Sequence, residues 1–281
     1  MEKMKTLQTL FDLREIRRNM TSPVGLVPTM GYLHEGHLSL VHQARQDCAN
    51  VVVSIFVNPT QFGPQEDFEA YPRDLPRDLG LLEKIGVDLV WMPERGDLYW
   101  PDFQTWVIVK DVAQPLEGAM RPGHFQGVAT IVAKLFNAVQ PDKAYFGQKD
   151  AQQVVVIRRL VKDLNFPIDI VVCPIVREAD GLAMSSRNVY LNPQERDAAT
   201  VLFKALNEAK SAFENLSLEA EDLRDIMANT IESEPLARMQ YVSCSKPDTL
   251  EELSGPISRA LLSTAVVIGE SRLIDNFLIG E

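Results

Sequence analysis

Five short apolar runs, at 24–29, 51–57, 88–92, 143–146 and 168–173, carry almost no alternation of polar and apolar residues. A strand wetted on one face alternates with period two, whereas one covered on both faces does not, so these runs predict strands buried in a parallel sheet. Between them lie stretches with helical spacing, at 37–48, 75–85, 125–139 and 151–164. That order predicts an α/β fold with a doubly wound parallel sheet. In such sheets ligands bind beyond the carboxyl ends of the strands, where the direction of the connections switches, so the residues just after each run hold the chemistry.

From about Pro174 the pattern changes. Helical stretches at 193–213 and 218–231, followed by short strands at 239–244 and 261–268, predict a smaller α+β domain that sits as a lid. The expected division is 1–174 and 175–281, and a chain of 281 residues is long enough for two cores. Lys and Arg number 28 against 39 Asp and Glu, a net charge of -11, which argues against a nucleic-acid or membrane-surface binder. Cys48, Cys173 and Cys244 are an odd number, far apart, and predict reduced buried thiols. The first residues mix charges without a continuous apolar segment, and no stretch reaches the length of a membrane span, so a cytoplasmic protein is expected.

The first run breaks at Gly31 and leads into His34-Glu35-Gly36-His37. A strand, a glycine turn and a helix point the first N–H groups of that helix beyond the strand, where an anion such as phosphate is favoured. His34 and His37 share one face of the opening turn, and Gly36 leaves room for close approach. The same residues also read as a helix start with two solvated imidazoles. Zinc fits poorly, because helical metal pairs are spaced i, i+4 and neither a Cys nor a third His lies on that face; His42 is off it. After the second run comes Asn58-Pro59-Thr60-Gln61-Phe62, in which Gln61 offers donors and an acceptor to a small polar substrate. Lys149, after the fourth, reads either as a solvated charge or as a phosphate ligand. Ser185, Ser186 and Arg187, after an Asp180-Gly181 turn, provide two hydroxyls and a guanidinium fork suited to an anion. The acidic residues Glu219, Glu221 and Asp222 read as a solvated helix face. No dinucleotide fingerprint and no P-loop pattern occurs.

Pro28-Thr29-Met30-Gly31 with His34-Glu35-Gly36-His37 resembles the HIGH motif of the nucleotidyltransferase superfamily, and Met184-Ser185-Ser186-Arg187 stands where its KMSKS loop would be. Phe56 to Phe62, Arg121-Pro122-Gly123-His124-Phe125, Phe146 to Asp150 with Gln152-Gln153, Ser186-Arg187-Asn188 and Arg272 to Asn276 together resemble the pantothenate synthetase family of pantoate–β-alanine ligases. The resemblance runs from about Met20 to Asn276. It departs at Gln148, where the family usually has Glu, and at Ala151, where it usually has an aromatic residue.

The resemblance implies a Rossmann-like N-terminal domain with a C-terminal lid, a homodimer through the larger domain, and an AMP-forming ligase using ATP, pantoate and β-alanine. By carry-over, ATP is held by Met30, Gly31, Tyr32, Leu33, His34, Glu35, Gly36 and His37, by Gly147, Gln148, Lys149 and Asp150, and by Val176, Met184, Ser185, Ser186 and Arg187. His37, His34 and Lys149 are the catalytic residues, stabilising charge on the phosphates. Gln61 and Gln153 hold pantoate, and Gln61 also meets β-alanine. Mg²⁺ is expected with ATP, without named protein ligands. Two other readings stand beside this one: a nucleotidyltransferase that stops after transfer, and a nucleotide-binding sensor without turnover. A two-substrate acyl site explains Gln61 and Gln153, which a bare nucleotide site does not need.

Overall fold

The computed structural model describes residues 4–280 other than 65, 67 and 217. The chain forms two compact units, one running up to Gly147 and including Val156–Pro174, the other made of Gln148–Val155 and the chain from Ile175 onward.

In the first unit, β1 (Lys5–Leu7), β2 (Val24–Thr29), β3 (Asn50–Ile55), β4 (Leu89–Trp91), β5 (Lys143–Gly147) and β6 (Asp169–Cys173) make one sheet in the order β1-β4-β3-β2-β5-β6. Every pairing is parallel. The helices are α1 (Leu10–Arg17), α2 (Glu35–Asp47), α3 (Leu75–Ile85), the short α4 (Arg95–Leu98) and α5 (Glu117–Met120), α6 (His124–Val139) and α7 (Ala151–Asp163), whose first residues belong to the second unit. All five apolar runs are strands, and Leu26, Val27, Val51, Val52 and Val53 are fully buried, which is why the runs show no alternation. Each such side chain stabilises the fold by about 1.5–3 kcal/mol through the water it sheds. β3 stops at Ile55, two residues short of the expected end, because Asn58 and Pro59 open a 3-10 turn over Pro59–Gln61. β1 is three residues long, too short for periodicity to reveal.

β2 is the switch point: the chain runs from it to β3 and β4 on one side and has β5 and β6 on the other. The β2–β3 ladder extends to Thr29, but β2 and β5 pair only through Gly25 and Leu26. Pro28 has no N–H with which to continue the ladder, so the carboxyl edge between β2 and β5 is left unpaired at the place where such sheets bind ligands.

In the second unit, β7 (Ala237–Ser245), β8 (Ala260–Ile268) and β9 (Ser271–Ile279) form an antiparallel sheet in that order. The helices α8 (Pro193–Ala198), α9 (Val201–Asn215) and α10 (Ala220–Glu232) accompany it, with Leu202, Leu206, Leu223, Met227, Leu262 and Val266 in one core. The single helix expected over 193–213 is therefore two. The Thr200 hydroxyl donates to the Asp197 carbonyl at 2.7 Å, a side-chain bond that competes with the helical ladder at the break. Glu219 and Asp222, both exposed, form a capping box at the start of α10, while Glu221 accepts the Gly255 N–H at 2.9 Å and ties the helix start to that loop.

Candidate active site

The turn from β2 to α2 is held from inside. Gly31 has φ +82°, a conformation that favours glycine, and Tyr32 follows at φ +50°. Asp78 of α3, 1% exposed, accepts the Tyr32 N–H at 2.7 Å and the Leu33 N–H at 2.8 Å, one on each carboxylate oxygen. Burial pushes its carboxyl up, and those two bonds oppose the shift. Nothing in the apolar runs singles out Asp78. The signal was its place on the stripe Leu75, Asp78, Leu82, Ile85, where a charge among apolar residues at helical spacing requires a buried partner.

The two histidines then fix each other. The Gly36 N–H donates to His34 Nδ1 at 3.1 Å, and the His34 N–H donates to His37 Nδ1 at 3.3 Å, a capping box built from imidazoles. Their ring centroids lie 4.1 Å apart. Since both Nδ1 atoms accept, the ring proton of each neutral imidazole is on Nε2, and both rings are Nε2–H donors. This changes one expectation. The N–H groups of Tyr32 and Leu33 are taken up by Asp78 and those of His34 and Gly36 by the two imidazoles, so an anion here is met first by imidazole rather than by those amides. Leu33 is 1% exposed and packs in the core, while Glu35 is exposed.

Gln61 is brought to the same turn. Its Nε2 donates to Met30 Sδ at 3.1 Å, and its Oε1 accepts from Asn58 Nδ2 at 3.1 Å. Asn58 is itself 1% exposed and also donates to the Gly127 carbonyl of α6. The Gln61 carbonyl accepts from His124 Nδ1 at 2.8 Å, and His124 Nε2 lies 3.1 Å from Arg121 Nη1. Arg121 in turn forms two 2.7 Å bonds with Glu66. Burial, and then the Arg121 charge, push the His124 imidazole down to about 4, while Gln61, Glu66 and Glu117 pull the other way. An unfolded histidine takes up a proton near 6.5, and the folded one does not until about 4. Acid therefore favours the unfolded chain in that window, by about 2 kcal/mol at pH 5 from this residue alone. Urea unfolding midpoints of the native protein and a His124→Asn variant are expected to converge as pH falls from 6.5 to 4. A constant gap would contradict the neutral, buried imidazole.

In the second unit, Lys149 Nζ donates to the Met184 carbonyl at 3.1 Å, and the Met184 N–H donates to the Val176 carbonyl at 3.0 Å, which brings three of the expected nucleotide residues together. Burial lowers the Lys149 ammonium from its ordinary value; Asp150 and Asp275 oppose this and Arg187 adds to it. Asn276 of β9 donates to the carbonyls of Gln148 and Lys149 at 3.0 and 2.9 Å, and Gln148 Nε2 donates to Asn276 Oδ1 at 2.9 Å. Arg177 forms a two-bond pair with Asp275 at 2.6 and 2.9 Å and sits between the rings of Phe203 and Phe277. Ser185 Oγ accepts the Arg187 N–H at 3.3 Å and starts a 3-10 turn over Ser186–Tyr190. Gln153 is half-buried on the first turn of α7, and Gly147 closes β5. Asp78 lies outside the motif segments, and Asn58, His124 and Asn276 lie within them without a local pattern that gives them a role.

A model of the pantoate-beta-alanine ligase family matches residues 1–278. A pantothenate synthetase of Roseiflexus castenholzii is 58% identical over 276 residues, which is 98% of this chain and 99% of that one. Among solved structures, pantothenate synthetase from Thermus thermophilus superposes with a TM-score of 0.93 at 46% identity, over 98% of this chain and 99% of the other. The pantoate-beta-alanine ligase of Francisella tularensis, complexed with beta-gamma ATP and β-alanine, gives a TM-score of 0.81 at 37% identity, over 98% and 97% of the two chains. With the parallel sheet, the paired histidines after β2 and the three-stranded second unit all falling within that full-length match, the chain belongs to the pantoate–β-alanine ligase family.

Proposed function

We propose that this ligase joins pantoate to β-alanine in two steps through a pantoyl adenylate. A pantoate carboxylate oxygen attacks the α-phosphorus of ATP and pyrophosphate leaves; the β-alanine amine then attacks the acyl carbon, the C–O bond breaks, and AMP departs with that oxygen. The observation that carries the reading is the pair of imidazoles after β2, each fixed as an Nε2–H donor by the N–H that its Nδ1 accepts. Transfer at phosphorus needs little covalent help from protein, so positioned donors aimed at the developing charge are what catalysis requires. His37 and His34 serve the phosphates, with Lys149 as the third donor. Met30 to His37, Gly147 to Asp150, Val176 and Met184 to Arg187 hold ATP. Gln61 and Gln153 hold pantoate, and Gln61 also meets β-alanine.

Among the described residues no group of three or more His, Cys, Asp or Glu could hold a metal ion. Mg²⁺ is proposed to accompany ATP, since that ion keeps most of its waters and binds substrate oxygens. It would supply charge neutralisation there. Three free buried cysteines support a cytoplasmic setting, and among the described residues no helix is long and apolar enough to cross a membrane. Trp100, Trp106 and Ile108, exposed on the first unit, support a homodimer, which a monomer mass in sedimentation equilibrium would refute.

The test of the route uses ATP, Mg²⁺ and pantoate labelled with ¹⁸O in its carboxylate. The expected outcome is a stoichiometric burst of pyrophosphate without β-alanine, followed by AMP carrying one label once the amine is added. Unlabelled AMP would exclude the adenylate.

A further inference from the structure

The segment Arg121-Pro122-Gly123-His124-Phe125 has no part in the chemistry above, yet Arg121 and His124 converge on the Gln61 carbonyl. The Gln61 carbonyl can only accept, so His124 Nδ1 carries the proton of their 2.8 Å bond. His124 Nε2 is then an acceptor, and the Arg121 guanidinium, which can only donate, fills it at 3.1 Å. Glu66 takes two further Arg121 donors, both at 2.7 Å, which fixes the plane of the guanidinium. Each member of the chain Glu66–Arg121–His124–Gln61 therefore has its donor and acceptor roles set by the next, and Arg121 Nη2 also reaches the Gln61 carbonyl directly, at 3.4 Å against 2.8 Å for His124. Helix α6 lies close behind: a Cβ on Gly127 would stand 2.3 Å from the Thr60 carbonyl oxygen and 2.7 Å from Gln61 N. The 3-10 turn thus cannot sink toward α6, and the Gln61 carbonyl on its outer side is gripped by His124 and, at longer range, by Arg121. The other end of the same residue, its amide, is held by Asn58 and Met30.

We infer that His124 is a positioning residue for the acid and amine substrates, acting through the Gln61 main chain so that the Gln61 amide is held in one orientation before they bind. This rests on the assignment of Gln61 to pantoate and β-alanine. A chain that pre-sets one polar group affects the ligand of that group and leaves a separate ligand such as ATP nearly untouched.

The test compares KM for pantoate and for ATP in His124→Ala, His124→Asn, His124→Gln, Gln61→Ala and the double variant Gln61→Ala/His124→Ala. Asn places an amide N–H where Nδ1–H was, whereas Gln reaches the Nε2 position and loses the bond to Gln61. Losing one such bond is expected to raise the pantoate KM about five- to tenfold in His124→Ala and His124→Gln, with the ATP KM within about twofold. His124→Asn should recover most of the loss. The double variant should be no worse than Gln61→Ala, because His124 has nothing left to act through. Equal losses for ATP and pantoate, an Asn variant no better than Gln, or additive effects in the double variant would overturn the inference while leaving Gln61 in place. A Gln61→Ala enzyme with an unchanged pantoate KM would instead overturn the assignment of Gln61, and the inference with it. If His124→Ala fails to fold, the contrast between Asn and Gln decides the matter alone.

Discussion

Replacing His37 with Ala is expected to cut pyrophosphate release from ATP and pantoate by about 10²–10³-fold, the usual effect of deleting one donor aimed at developing charge. The prediction rests on the tautomer. His37 Nδ1 is occupied by the His34 N–H, so the ring proton is on Nε2. Truncation also removes a cap acceptor, a loss worth about 1 kcal/mol of helix stability, which is a different effect and must be separated from the first. His37→Asn does so, since its side-chain oxygen can still accept the His34 N–H while the donor at Nε2 is gone. The Asn variant should fold like the native protein and be as inactive as Ala. His34→Ala should fall in the same range, and it also releases the Gly36 N–H. Near-normal pyrophosphate release in the Asn variant would reduce His37 to a helix cap.

The second large effect is expected at Lys149. Lys149 is half-buried, and among the described residues its ammonium donates to the neutral carbonyl of Met184. Burial disfavours the charge, and only Asp150 and Asp275 pull back toward it. A cation shielded from water and hydrogen-bonded to a neutral carbonyl carries a desolvation cost, and a polyphosphate is the kind of ligand that would offset it. Lys149→Met keeps the length and apolar stem and removes the charge. Adenylate formation is expected to fall about 10²–10³-fold, with the ATP KM raised. The melting temperature should hold or rise, because an unfavourable buried charge has been replaced by an apolar group of similar size. Activity and stability moving in opposite directions is the signature of a functional group held at a cost. A variant that melts several degrees lower would show instead that the ammonium is a structural tie between Lys149 and the Met184 segment.

What could be read from the chain alone was whatever repeats or breaks locally. Uniform apolar runs located β2 through β6, since a strand shielded on both faces has no reason to alternate. The break at Gly31 before two histidines located the turn after β2, because a residue at φ +82° between a strand and a helix is where glycine is needed. The residue types that suit phosphate and amide chemistry stood just past those strand ends, as the geometry of doubly wound sheets requires.

Only the tertiary structure decided which groups meet. Asp78 reaches back across 45 positions to Leu33, and Asn276 across 127 to Lys149. His124 reaches Gln61 across 63. Periodicity states that a residue is buried and not what it is buried against, so no local pattern could pair them. The same limit hid the packing of Gln148–Val155 with the second unit and the split between α8 and α9 at Thr200. It also hid the imidazole tautomers, which follow from hydrogen bonds made once the turn has closed. The sequence by itself determined roughly where the buried strands lie and which residue types follow them; the folded chain determined where those strands stop, their side chains' partners, and through the partners which protons they carry.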